Sequence, residues 1–164
     1  MKKIIIYLSV VVMFGAFLQS CKKDDSGTTT YPTGQGMFTA AGGLTLNLMG
    51  TSSSFTRRTT STYDSIYVGG GTYTPQALVG LYFVNIKTVG TYALNLTGSQ
   101  SAAAGYFTGT NTSTDYYLST ASVAPGTVTI TAISSTVIEG TYTTTVKNFS
   151  GTSITFSGTF KGNF

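Results

Sequence analysis

Residues 137–161 read VIEGTYTTTVKNFSGTSITFSGTFK. Ile138, Tyr142, Thr144 and Val146 alternate with Glu139, Thr141, Thr143, Thr145 and Lys147. After Asn148-Phe149-Ser150-Gly151 the alternation resumes: Ile154, Phe156, Phe160 and Phe164 fall out of phase with Thr155, Ser157, Thr159, Lys161 and Asn163. Successive side chains of a strand point to opposite faces, so a period of two marks a strand with one buried and one wet side. A short Asn/Ser/Gly connection between two such runs marks a hairpin, hence antiparallel pairing.

The same grammar extends backwards. Val128 and Ile130 alternate with Thr127, Thr129 and Thr131; Tyr92, Leu94 and Leu96 alternate with Thr91, Ala93 and Asn95; Leu44, Leu46 and Leu48 do likewise. No stretch after residue 21 has a helical period. Nine to eleven strands are expected, near 37–40, 44–48, 54–59, 65–69, 77–87, 90–97, 103–109, 115–121, 126–133, 137–147 and 153–161. So many strands must fold over to bury their apolar side. The expected fold is therefore an all-β antiparallel meander, forming either a two-sheet sandwich or a rolled, partly open barrel over residues 36–164.

One run breaks the alternation. Residues 77–86, ALVGLYFVNI, are apolar on both sides, with Leu78, Tyr82, Val84 and Ile86 on one and Val79, Leu81 and Phe83 on the other. A central strand covered on both faces explains this. A contact patch formed by Val79, Leu81 and Phe83 is the functional alternative.

Composition narrows the function. The chain of 164 residues has 9% charged residues, 11 Tyr, 10 Phe, one Cys, no Trp and no His. Histidine-dependent nucleophilic catalysis and Cys/His metal sites are excluded, and no cofactor is expected. The net charge of +4 falls to +2 once Lys2 and Lys3 are set aside as part of a leader. The remaining basic residues are scattered, which is no footprint for nucleic acid. VGGGT at 68–72 lacks the Gly-Lys-Ser/Thr ending of a phosphate loop. Asp64, Asp115 and Glu139 are the three acids of the expected domain. They are expected to be solvated surface groups. A pair of them across a cleft would suit glycoside hydrolysis, and a carrier of a small apolar ligand is a further option. Core and cross-strand pairing is the expected role of the tyrosines, with stacking on sugars or protein partners as the functional alternative, and Tyr116-Tyr117 must place at least one ring outward or on a rim.

The N-terminus supplies the location. Met1-Lys2-Lys3 is a positive start, and Ile4–Phe17 is an apolar run of 14 residues. That is short for a spanning helix, which needs about 20, and fits a secretory signal over residues 1–20. Leu18-Gln19-Ser20-Cys21 resembles a lipobox, with Gln19 departing from the usual small or apolar residue. The resemblance implies lipidation of Cys21 and anchorage to a membrane by acyl chains. Lys22-Lys23-Asp24-Asp25 resembles the surface-export signal of Bacteroidota lipoproteins, which implies an outer-membrane location facing the exterior. Residues 21–35 form the lipidated start and a flexible tether with a reach of roughly 20 Å. Asp64-Ser65-Ile66 resembles the O-glycosylation acceptor of the same phylum and implicates Ser65. Finally, GTVTIT at 126–131, IEGTY at 138–142 and FSGTF at 156–160 resemble the strands of a small Bacteroidota lipoprotein family of unknown function. The functional expectation is a non-catalytic binding or structural domain at the cell envelope, with a glycan or an envelope protein as partner.

Overall fold

A computed structural model describes residues 31–73, 76–95, 100–109, 116–119 and 126–164. Cys21, Lys22, Lys23, Asp24, Asp25 and Asp115 lie outside the described residues. The eleven strands are β1 (Gly36–Gly42), β2 (Leu46–Gly50), β3 (Ser53–Thr59), β4 (Asp64–Tyr73), β5 (Gln76–Val84), β6 (Gly90–Ala93), β7 (Ser101–Phe107), β8 (Tyr116–Leu118), β9 (Gly126–Ile133), β10 (Val137–Asn148) and β11 (Ser153–Asn163). Their order agrees with the alternation read from the sequence.

Two antiparallel layers result. One runs β2-β1-β11-β10-β9-β6, the other β3-β4-β5-β7-β8. They are joined where β8 pairs with the last residues of β10, Lys147 opposite Leu118 and Asn148 opposite Tyr117. This is the sandwich of the two expected forms, with no closed barrel. The longest register, β10 on β11, runs from Val137–Asn163 to Lys147–Ser153 and is the hairpin read from residues 137–161.

The core lies between the layers. Ile138, Tyr142, Thr144, Val146, Phe156 and Phe160 point inward from β10 and β11. Ile66, Val68, Val79, Leu81, Phe83, Ala102 and Ala104 meet them from β4, β5 and β7. Phe83 and Phe160 touch across the gap at 6.0 Å between ring centroids, and Tyr106 meets Phe156 at 6.2 Å. Full burial of each such side chain stabilises the fold by about 1.5–3 kcal/mol. At one end the ring of Phe55 lies against β1 and β11. A Cβ on Gly162 would sit 2.5 Å from that ring, so only glycine lets the layers close there.

The first described residues differ from the expected tether, which was drawn to Gln35. Thr33 bridges Asn163 in parallel. The Gly34 amide donates to the Asn163 carbonyl at 2.9 Å, and Asn163 donates back to the Gln35 carbonyl at 3.0 Å. The Gly34 carbonyl accepts from the Phe55 amide at 3.0 Å. These residues lack apolar periodicity, yet they satisfy the backbone groups of β11 and β3 that would otherwise go unpaired.

Candidate functional site

β5 decides where the site lies. Val79, Leu81 and Phe83 are 1%, 0% and 0% exposed. They are core, and the contact patch considered for these three residues is corrected on that ground: parity turns them toward β10 and β11. The opposite face of β5 looks away from the sandwich. There Leu78 and Val84 are half-buried and Tyr82 is 42% exposed, so covering of the strand on both faces is incomplete.

Register builds a groove on this outer face. Gly69 of β4 stands opposite Gly80 of β5, and Gly80 opposite Gly105 of β7. The next row toward one end joins Tyr67, Tyr82 and Ala103; the next toward the other joins Gly71, Leu78 and Phe107. Three glycines in a row leave a strip of bare backbone between two apolar banks. The Tyr67 ring leans across it. A Cβ on Gly80 would lie 2.5 Å from Tyr67 Cε2 and 2.9 Å from its Oη, so the ring rests where a side chain would stand.

The resulting depression holds about 420 Å³ and is lined by Tyr67, Leu78, Gly80, Tyr82, Gly105 and Phe107, among others. A second depression of about 540 Å³ continues beyond Tyr67 and Leu78, which line both. Its wall carries Thr51, Ser52, Ser53, Ser54 and Thr72. Among the described residues no charged side chain lines either one. The nearest charge by register is Arg58, opposite Ser65, one row past Tyr67. Burial pushes the Tyr67 phenol above its ordinary value of 10.0, so it stays neutral and can both donate and accept a hydrogen bond.

The acids behave differently from the expectation for Asp64. It is 2% exposed, not solvated. It opens β4 on the inward face, and Arg57 two residues before the end of β3 reaches it from across the hairpin. Arg57 Nε donates to Oδ1 at 3.0 Å and Nη2 to Oδ2 at 2.5 Å, while the Thr59 hydroxyl donates to Oδ1 at 3.0 Å. The Arg57 hydrogen bond holds the carboxyl below its ordinary value of 3.8, burial opposing it. Arg57 Nη1 also donates to the Ser134 carbonyl at 2.6 Å, in the β9–β10 turn, and its guanidinium lies 5.8 Å from the Phe164 ring centroid. The group is a clamp between the layers. Glu139 lies on the outer face of the other layer and pairs with Lys161 at 3.4 Å. Asp64 and Glu139 therefore do not face one another across a cleft. Among the described residues no cluster of three His, Cys, Asp or Glu could hold a metal ion.

Two further expectations meet the structure here. Ser65 is 7% exposed, and its hydroxyl donates to the Arg58 carbonyl at 3.4 Å. The folded domain thus withholds the hydroxyl proposed for glycosylation, because Ser65 is held within the paired β3–β4–β5 rows. Tyr117 packs inward against Tyr106, ring centroids 5.8 Å apart. Tyr116 sits opposite Phe107 in the β7–β8 register, and its side chain lies outside the described ones.

Sequence reasoning missed the glycine row and the Arg57–Asp64 clamp. A signal existed for the first: VGGGT, LVGLY and AAAGY each place glycine inside a strand, where it commonly marks close approach. No family model matches the chain, and no match is found among curated proteins or among solved structures.

Proposed function

We propose that the chain is a lipid-anchored surface domain that binds, without catalysis, through the outer groove of β4, β5 and β7. The observation that carries the binding part is the tyrosine-lined groove, uncharged among the described residues, on a face that the sandwich does not need for its own core. A concave apolar surface with a few polar groups at its edge is the usual form of a binding site. The interior supports no carrier role, since the space between the layers is filled by Phe38, Phe55, Phe83, Phe156 and Phe160. Asp64 supports no acid–base role, since both its oxygens are engaged and its carboxyl is held ionised.

The anchor rests on the lipobox-like Leu18–Cys21, and external display at the outer membrane rests on Lys22–Asp25. Two or more acyl chains hold a protein to a bilayer where one does not. Metabolic labelling with an alkyne fatty acid tests the anchor: label is expected on the wild type and lost in Cys21→Ser. Protease added to intact cells is expected to remove the domain. For the groove, cross-linked material from the envelope is expected with wild type and diminished with Tyr82→Ala. Undiminished cross-linking with Tyr82→Ala would refute the groove as the binding surface.

A further inference from the structure

We infer that the groove takes an uncharged polysaccharide chain, an inference that rests on the binding role given above. Four features of the site select this ligand. The two depressions share Tyr67 and Leu78 in their linings, so they adjoin on this face and are read together as one trench. A trench open along its length accepts a chain that enters and leaves. Its lining carries no charge among the described residues, which disfavours an acidic or basic polymer: a charged group brought there would lose water without gaining a partner.

Its two ends have different chemistry. Tyr67, Tyr82, Leu78 and Phe107 supply rings and an aliphatic bank, while Ser52 and Ser54 supply hydroxyls. A pyranose carries both surfaces, an apolar C–H face that stacks on tyrosine and a rim of hydroxyls that exchanges hydrogen bonds. The Tyr67 ring lies over Gly69 and Gly80 and is itself the flat surface on which such a ring would stack. A peptide strand, by contrast, would need free backbone donors and acceptors. β4 pairs with β3 and β5, and β5 pairs with β4 and β7, so the main chain under the trench is already committed.

The test is affinity electrophoresis of the full chain, purified in detergent, through gels holding one polysaccharide each. Dextran, laminarin, glucomannan and arabinoxylan serve as uncharged probes, polygalacturonate and hyaluronan as acidic ones. Retardation by at least one uncharged probe and by neither acidic one is expected, unchanged by added salt. Tyr82→Ala is expected to weaken it about five- to tenfold, the scale of one lost aromatic contact. Tyr82 is 42% exposed, so this variant is expected to keep its circular dichroism spectrum. Thr141→Ala, exposed on the outer face of the other layer, is expected to change nothing. Retardation by the acidic probes, or by none, overturns the polysaccharide assignment. If envelope cross-linking still depends on Tyr82 in that case, the groove remains a binding surface for another ligand. If retardation occurs but ignores Tyr82, the assignment of the site is overturned as well.

Discussion

Replacing Arg57 by alanine should weaken the whole sandwich, and the structure sets the scale. The Asp64 side chain is 1% exposed and that of Arg57 is 18% exposed. The substitution removes two hydrogen bonds to the carboxylate and the tie to Ser134, leaving Asp64 with the Thr59 hydroxyl. Orphaning a buried charge of a pair costs about 3–5 kcal/mol. Arg57 reaches the solvent edge, so the low end applies, about 3 kcal/mol, or roughly 10 °C in Tm for a domain of this size. The double variant Arg57→Met/Asp64→Leu removes both charges and should lie within about 1 kcal/mol of wild type. Acid adds a second signature. The folded carboxyl of Asp64 titrates below its ordinary 3.8, so its contribution is fully present above that pH and is lost as pH falls through the lower folded value. In Arg57→Ala the largest lowering influence is gone and burial is opposed only by the Thr59 hydroxyl and the Lys87 charge, so the carboxyl rises and acid relieves part of the defect. The gap between the two proteins should narrow from pH 7 to pH 3. Urea unfolding followed by tyrosine fluorescence measures this. A loss under 0.5 kcal/mol, or a gap that does not change with pH, would show that the clamp is not a structural tie.

Two other outcomes follow from the core. Phe160→Ala removes a fully buried ring that meets Phe83, and should cost about 3–5 kcal/mol, read as a lower urea midpoint at unchanged slope. Tyr142→Phe deletes the hydroxyl that donates to the Thr39 carbonyl at 2.9 Å, and should cost about 1 kcal/mol by the same assay while leaving the fold intact. Because burial pushes the Tyr142 phenol upward, ultraviolet titration should find it still protonated at a pH above its ordinary value of 10.0.

The strands were legible because alternation is a local property. Ile138, Tyr142, Val146, Phe156 and Phe160 each declare their face through their immediate neighbours. The choice between sandwich and barrel was not local. It turns on β8, a strand of three residues that joins the layers by pairing with the end of β10. The Arg57–Asp64 clamp was hidden for a related reason. The two residues are seven apart and meet only because the loop Thr60–Tyr63 closes a hairpin in one register, with the Thr60 hydroxyl accepting from the Tyr63 amide at 3.1 Å. Residues 77–86 show the same limit. Two apolar faces were plain in ALVGLYFVNI, but which faced the core depended on the packing of β4 and β7. The groove needed still more, since Gly69, Gly80 and Gly105 become neighbours only through two strand registers at once.

Chemical-shift mapping of the labelled domain against an uncharged polysaccharide tests the central claim most directly. Shifts confined to Tyr67, Leu78, Gly80, Tyr82, Gly105 and Phe107 and their neighbours on the outer face of β4, β5 and β7 are expected, with the threonine-rich face around Thr129 and Thr141 silent. Shifts centred on that threonine face, or spread evenly over both layers, would contradict the account.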